Sequence, residues 1–292
     1  MEKKIARLLE IYEAGISNNI ALKKEHFDSL TNSLFTLINS LYENKEDISH
    51  FQTDMEGKFF RFGLANQSLI NLIKGNSFKL LDKDVLVADM FSIYSIVRMQ
   101  IEAYLIMFYL FFDDIIDEEK NFRYDIYRLH GLQKQASFKL HNETANDKIQ
   151  LEKITKETSD AIERIKSSSI YKKASVKEQK EYLKPRFAKL VKSEILFEKS
   201  GITQSRIDQM WSIFSNHAHS EYISDRQFNT AYKINNSTLN NQDLAISLCT
   251  IMTSKLIIFL TKTFKSAEEK LNNLEVAEQV DVNFWSNFDK KE

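Results

Sequence analysis

The chain has 292 residues, a formal net charge of −1, and 43% hydrophobic and 28% charged residues, a globular composition long enough to bury its own core. The near-zero charge excludes a global field that would draw the chain to a polyanion, and the single cysteine, Cys249, excludes an internal disulfide. Six glycines and one proline, Pro185, leave little turn punctuation, so the chain reads as all-α, with long helices joined by short polar loops.

Periodicity places helices near residues 2–14, 19–43, 47–74, 84–114, 117–141, 144–168, 175–199, 203–219 and 240–272. The first lies in MEKKIARLLEIYEAG. It is charged and amphipathic and lacks the apolar region of a signal peptide, so a cytoplasmic location is expected. Gly75-Asn76-Ser77 closes the third helix, and Asp84 or Asp89 starts the fourth. That helix, about 84–114, is apolar nearly all round, through Phe91, Tyr94, Val97, Ile101, Tyr104 and Phe108, and is expected at the centre of a helical bundle. Ile101–Phe112 is short and carries Glu102, and Leu244–Leu260 is interrupted by Ser, Thr and Lys255. Both are expected as core helices, with no membrane span. Asp117, followed by Glu118 and Glu119, is expected to cap the next helix, and Thr203 to cap Gln204–His219. Cys249 lies in the apolar run Ile246–Ile251 and reads as a buried, inert thiol. Residues 1–50 are expected as an N-terminal helical extension, 51–272 as the main bundle and 273–292 as a polar tail, apolar only at Phe284, Trp285 and Phe288.

One segment departs from the neutral balance. Lys166–Lys192 carries nine basic residues, among them Lys172, Lys173, Lys177, Lys180, Lys184 and Arg186, against only Glu178 and Glu181. It reads either as a nucleic-acid-facing stripe or as a solvated helix face.

Several constellations could carry chemistry. Arg98 and Glu102 stand at i and i+4 on the most apolar helix, able to pair, and two charges there mean a structural ion pair or a functional cluster. Asn216, His217, His219 and Glu221 gather in one short segment. On a helix the two histidines point roughly 200° apart, so no shared metal is expected. One of them would serve as an acid–base group or phosphate ligand, and the alternative is a cap cluster. Phe112-Asp113-Asp114-Ile115-Ile116-Asp117 resembles the aspartate-rich motif of class I terpenoid synthases. That resemblance implies Mg²⁺ held by Asp113, Asp114 and Asp117 against a diphosphate. Asn216 and Ser220 match the spacing of that family's second motif, but His217 and Ser224 stand where it has Asp and Glu. Otherwise no metal or cofactor is expected. Arg123 and His130 are similar in spacing to the Arg-x(4–6)-His motif of HEPN ribonucleases, all-helical RNA-cleaving domains. In such a pair Arg holds phosphate oxygens and His moves a proton, usually across a dimer interface.

The succession Arg98-Met-Gln-Ile-Glu102-Ala-Tyr, Phe122-Arg123-Tyr-Asp-Ile-Tyr-Arg-Leu-His130 and Ser215-Asn-His-Ala-His219-Ser-Glu-Tyr-Ile-Ser resembles a family of uncharacterised bacterial helical proteins. That family carries Arg-x-x-x-Glu on a central helix, a downstream Arg and a late Ser-x-x-x-His-Ser segment, and has been likened to HEPN domains. The resemblance covers about residues 55–262. It implies a HEPN-like bundle in which Arg98, Glu102, Arg123 and His219 converge, supported by His130, Asn216, His217 and Glu221. The partner would be RNA or a nucleotide, the setting stress or phage defence, and the assembly a homodimer. Two other functions stay open: a non-enzymatic helical interaction module and a Mg²⁺-dependent diphosphate enzyme.

Overall fold

The structure, a computed structural model, describes residues 2–17, 19–80, 82–138, 144–203, 211–216, 222, 224–226, 229 and 237–288. Among these residues the chain is helical apart from one two-stranded hairpin. The helices are α1 Glu2–Ile16, α2 Ile20–Asn44, α3 Met55–Ile73, α4 Met90–Met107, α5 Asp117–Ala136, α6 Ala145–Ser167, α7 Ser169–Lys173, α8 Val176–Leu183, α9 Ser193–Ser200, α10 Ser237–Thr263, α11 Lys265–Asn272 and α12 Val276–Asn287. A 3-10 turn, His50–Gln52, and a π turn, Phe108–Phe112, complete the helical set, and the hairpin is β1 Asn76–Leu80 and β2 Lys83–Val87. The chain forms two compact units. The larger comprises Met1–Asp47, Met55–Leu105 and Phe197–Glu292, and the smaller Ile48–Asp54 and Ile106–Leu196.

In the larger unit α2 is the hub. Asn19 caps it by accepting from the Leu22 amide, and it ends where Lys45 turns left-handed, at φ 48°. It buries Phe27, Leu30, Leu34 and Leu37 and packs against α1, α3, α10, α11 and α12. A buried amide network binds four helices. Asn66 of α3 donates to Thr253 of α10 at 2.9 Å and to Thr31 of α2 at 3.3 Å. Gln100 of α4 donates to the Asn66 side chain at 2.6 Å and to the Phe62 carbonyl at 2.9 Å. Each buried amide thus has partners, which avoids the penalty of an unpaired polar group.

Several expected boundaries shift. The helix expected from residue 84 begins at Met90, where Asp89 accepts from the Ser92 amide and hydroxyl, while Asp84 lies in β2. The hairpin was not anticipated. It pairs Asn76 with Val87 and Leu80 with Lys83, entered by Gly75 at φ 74° and turned by Asp82 at φ 62°, both left-handed conformations. The first two helices, α1 and α2, pack within the larger unit. The expected polar tail holds α12, whose Asp281 is fully buried and accepts two hydrogen bonds from Arg7 of α1 at 2.8 and 2.5 Å. The long helix expected over 240–272 is two helices, α10 and α11, separated by extended backbone at the buried Phe264. Two helical stretches, Met90–Phe112 and Gln242–Thr263, are long and apolar enough to cross a membrane by length and composition. Both are mostly buried within the protein, and Lys255 in the second donates to the Ser286 carbonyl at 3.0 Å. On α1, the stripe Ile5, Leu8, Leu9, Tyr12 and Ile16 is exposed.

The smaller unit is built on α5 and α6. Phe122, Ile126 and Leu129 of α5 pack on Ala161 and Ile165 of α6, covered by Tyr171, Tyr182 and Leu183. Thr144 and Asp147 form a capping box at the start of α6, and Ser175 and Glu178 do the same for α8. The cap of α5 is Ile116, without a side-chain bond, so Asp117 is the first helical residue rather than the cap. Its carboxylate, with Glu118 and Glu119, still faces the positive end of the dipole. The helix expected over 175–199 breaks. α8 stops at Leu183 because Pro185 disfavours helical geometry at Lys184, and α9 starts only at Ser193.

Candidate functional site

Arg98 occupies a built position in the larger unit. Its guanidinium lies 3.4 Å above the Trp211 ring, a close cation–π stack. Its Nε donates to the Ser215 hydroxyl at 3.0 Å. Its Nη1 is 3.0 Å from Glu102 Oε1, but the N–H is not aligned for a hydrogen bond, and this buried nitrogen has no directed acceptor among the described residues. The i, i+4 spacing therefore produces the ion pair, while Trp211 and Ser215, distant in sequence, fix the plane of the guanidinium. Trp211 carried no signal in the sequence beyond its residue type. Asn216 is half-buried next to Ser215. His217, His219 and Glu221 lie outside the described residues.

Arg123 belongs to the smaller unit and has a different environment. Its Nη1 donates to Asp113 Oδ2 at 2.7 Å, and its Nη2 and Nε donate to Glu119 Oε1 at 2.7 and 3.1 Å. The guanidinium lies 4.7 Å from the Tyr109 ring centre, and burial pushes the Tyr109 hydroxyl up to about 12. Asp113 reaches Arg123 because the helix ends in a π turn, in which the Asp113 amide donates to the Phe108 carbonyl at 2.9 Å. This accounts for a carboxylate at a helix C-terminus, where the dipole alone would disfavour it. Arg123 is thereby occupied by carboxylates. His130, two turns along the same face of α5, is half-buried and forms no ion pair or hydrogen bond among the described residues.

The aspartate-rich segment does not gather. Asp113 is buried against Arg123, while Asp114 and Asp117 are exposed. Among the described residues no three His, Cys, Asp or Glu side chains are grouped to hold a metal.

The basic segment is a surface. Lys172, Lys173, Lys177, Lys180, Lys184 and Arg186 are all exposed, and none forms an ion pair among the described residues. Phe187 sits among them with 75% of its surface in solvent. Glu118 accepts from the Ser169 amide at 2.9 Å. The Ser169 hydrogen bonds, with Lys173 and Lys172 nearby, hold its carboxyl below the usual carboxylate range.

A further cluster in the smaller unit had no motif to announce it. Asp125 of α5 is 6% exposed, and its Oδ1 accepts from Arg164 Nε of α6 at 2.8 Å and meets His50 Nε2 at 3.0 Å. The His50 ring stands edge-on to Tyr124, 5.1 Å between centres, and the Tyr124 hydroxyl donates to Asp54 at 2.9 Å. His50 is 75 positions from Asp125 in the chain, a separation that no helical spacing encodes.

Compared with models of known families, with curated proteins and with solved structures, the chain matches none.

Proposed function

We propose that the protein is an RNA- or nucleotide-processing helical protein, HEPN-like in its chemistry, with Arg98 at its reactive site. The observation that carries this reading is the join between two segments. Arg98 hydrogen-bonds Ser215, so the helix bearing Arg-x-x-x-Glu meets the segment that runs on to His219. The guanidinium is stacked and oriented, yet among the described residues keeps a buried N–H without a directed acceptor, the arrangement that suits a phosphate oxygen. Glu102 orients Arg98, His219 is the acid–base group, and Asn216, His217 and Glu221 line the same segment. The chemistry needs no metal: a cation holds the phosphate and an imidazole moves the proton. The exposed cations of Lys172–Arg186, with Phe187 as a stacking face, supply sequence-independent affinity for single-stranded RNA. The cytoplasm and a role in stress or phage defence are part of the same proposal. So is a homodimer, which would bury the apolar stripe of α1.

The test is to incubate wild-type protein and folded His219→Ala and Arg98→Ala variants with mixed cellular RNA, with and without Mg²⁺. Metal-independent cleavage that both variants lose is the expected result. Intact RNA throughout, with all three proteins equally folded, would remove the enzymatic reading.

A second reading is a non-enzymatic helical interaction module. It is favoured by Arg123, whose guanidinium is held by Asp113 and Glu119 and is not presented to a ligand. Under it, changing His219 leaves partner binding intact.

A further inference from the structure

Two donors converge on one oxygen in the smaller unit. Asp125 Oδ1 takes both His50 Nε2 and Arg164 Nε. An imidazole that donates its Nε2–H to a carboxylate holds the tautomer in which Nδ1 keeps its lone pair. His50 is 37% exposed, and among the described residues its Nδ1 has no hydrogen-bond partner. Arg164, the second donor to Asp125 Oδ1, has a buried Nη2 that also lacks an acceptor among the described residues. A buried N–H of a charged group without a partner is costly, and water or a ligand oxygen removes that cost.

Two nearby carboxylates are engaged. Asp54 accepts from the Tyr124 hydroxyl, and Glu157 pairs with Arg128 at 3.3 Å and with Lys153 at 4.0 Å. Arg128 lies 5.9 Å from the Tyr124 ring centre. The groups left to serve an incoming ligand are therefore the Arg164 N–H and the His50 ring, beside an aromatic face. Arg164 and Lys166 occupy the last turn of α6, and Lys172 and Lys173 the last turn of α7 directly after it. The chain thus passes from the cluster straight into the exposed cationic surface, within one compact unit.

We propose that His50, Asp125 and Arg164 form a phosphate-binding site, in which Arg164 Nη2 donates to a phosphate oxygen, Asp125 positions the guanidinium, and the His50 ring is anchored beside it through Nε2. The inference rests on the RNA reading for its substrate class: the phosphate is one link of an RNA strand lying on the basic surface. It is separate from the Arg98 site and asks nothing of His219.

The experiment uses the full chain with histidine imidazoles labelled for NMR. A single-stranded RNA of about 12 nucleotides is titrated in, with inorganic phosphate as a separate arm. Binding is followed in parallel by fluorescence anisotropy for wild type, His50→Gln, Arg164→Gln and Arg164→Lys. The last variant keeps a cation beside Asp125 but removes the fork, so it guards against a loss caused only by leaving Asp125 unpaired. The expected result is that RNA shifts the His50 imidazole signals, and that both Arg164 variants bind about tenfold more weakly, Arg164→Lys while melting close to wild type. RNA binding with unmoved His50 signals and unchanged affinity in all variants would overturn the site and leave the RNA reading standing. If RNA does not bind at all, the RNA reading falls. The phosphate arm then decides the site: a His50 shift with inorganic phosphate retains it as a free-phosphate site, and silence there ends it.

Discussion

Arg123 and Asp113 are joined by a 2.7 Å ion pair in which both side chains are almost wholly buried. The pair exists because the chain leaves α4 through a π turn, which carries Asp113 round to face α5. A carboxylate that the dipole argument leaves unexplained is thus explained by its partner.

Removing that partner should be costly. Arg123→Ala leaves the Asp113 and Glu119 carboxylates without their shared cation, and stability should fall by about 3 kcal/mol. Urea unfolding monitored by circular dichroism measures this. A loss below about 1 kcal/mol would mean that the carboxylates find other partners.

His26 of α2 should make the protein acid-sensitive. It is 1% exposed, and among the described residues neither ring nitrogen has a hydrogen-bond partner. Burial, aided by the charge of Arg7, lowers its pKa from 6.5 to about 4. The unfolded chain therefore binds the proton more readily, so this contribution is present above about pH 6.5 and is progressively lost as the pH falls toward 4. Unfolding wild type and His26→Leu at pH 7 and pH 5 isolates it, and the variant should show the smaller difference between the two.

Two glycines in α3 should respond oppositely to alanine. A Cβ at Gly63 would lie 2.6 Å from the Phe35 ring, whereas a Cβ at Gly57 meets nothing within 4 Å. Helix propensity alone favours both changes by up to about 1 kcal/mol. Gly57→Ala should realise that gain. Gly63→Ala should instead lose about 1 kcal/mol, because Phe35 must move from its packed position against Phe60. Thermal melting of the two variants gives the comparison.

The cationic surface predicts a salt signature. If Lys172 and Lys173 each contact an RNA phosphate, changing both to Ala should flatten the log–log dependence of affinity on salt by about 0.7 per contact. Anisotropy titrations at several salt concentrations measure the slope. An unchanged slope would place the RNA elsewhere.

Trp211 should matter to Arg98 without mattering much to the fold. Trp211→Leu removes the stacking face, worth about 1 kcal/mol in stability. If the protein processes RNA as proposed, that activity should fall by about tenfold or more, because the guanidinium loses its orientation. A variant that melts earlier but works at the wild-type rate would show that the stack serves only the fold.

What the sequence determined by itself was local. Scarce Gly and Pro and the 3.6-residue period set a mainly helical chain, and the helix expected over 144–168 is α6 to within a residue at each end, where Thr144 and Asp147 form the capping box. The Arg98–Glu102 pair was equally legible, since i and i+4 always share a face. Tertiary structure decided everything that depends on a partner. A period specifies which face of a helix is apolar but not what covers it, so the sequence could not say that α1 and α12 meet through Arg7 and Asp281. Nor could it say that Arg98 lies on Trp211, or that His50 finds Asp125. The hairpin 76–87 was lost for a related reason. Two five-residue strands are too short for alternation to outweigh the helical pattern on either side, and their pairing rests on a left-handed turn at Asp82.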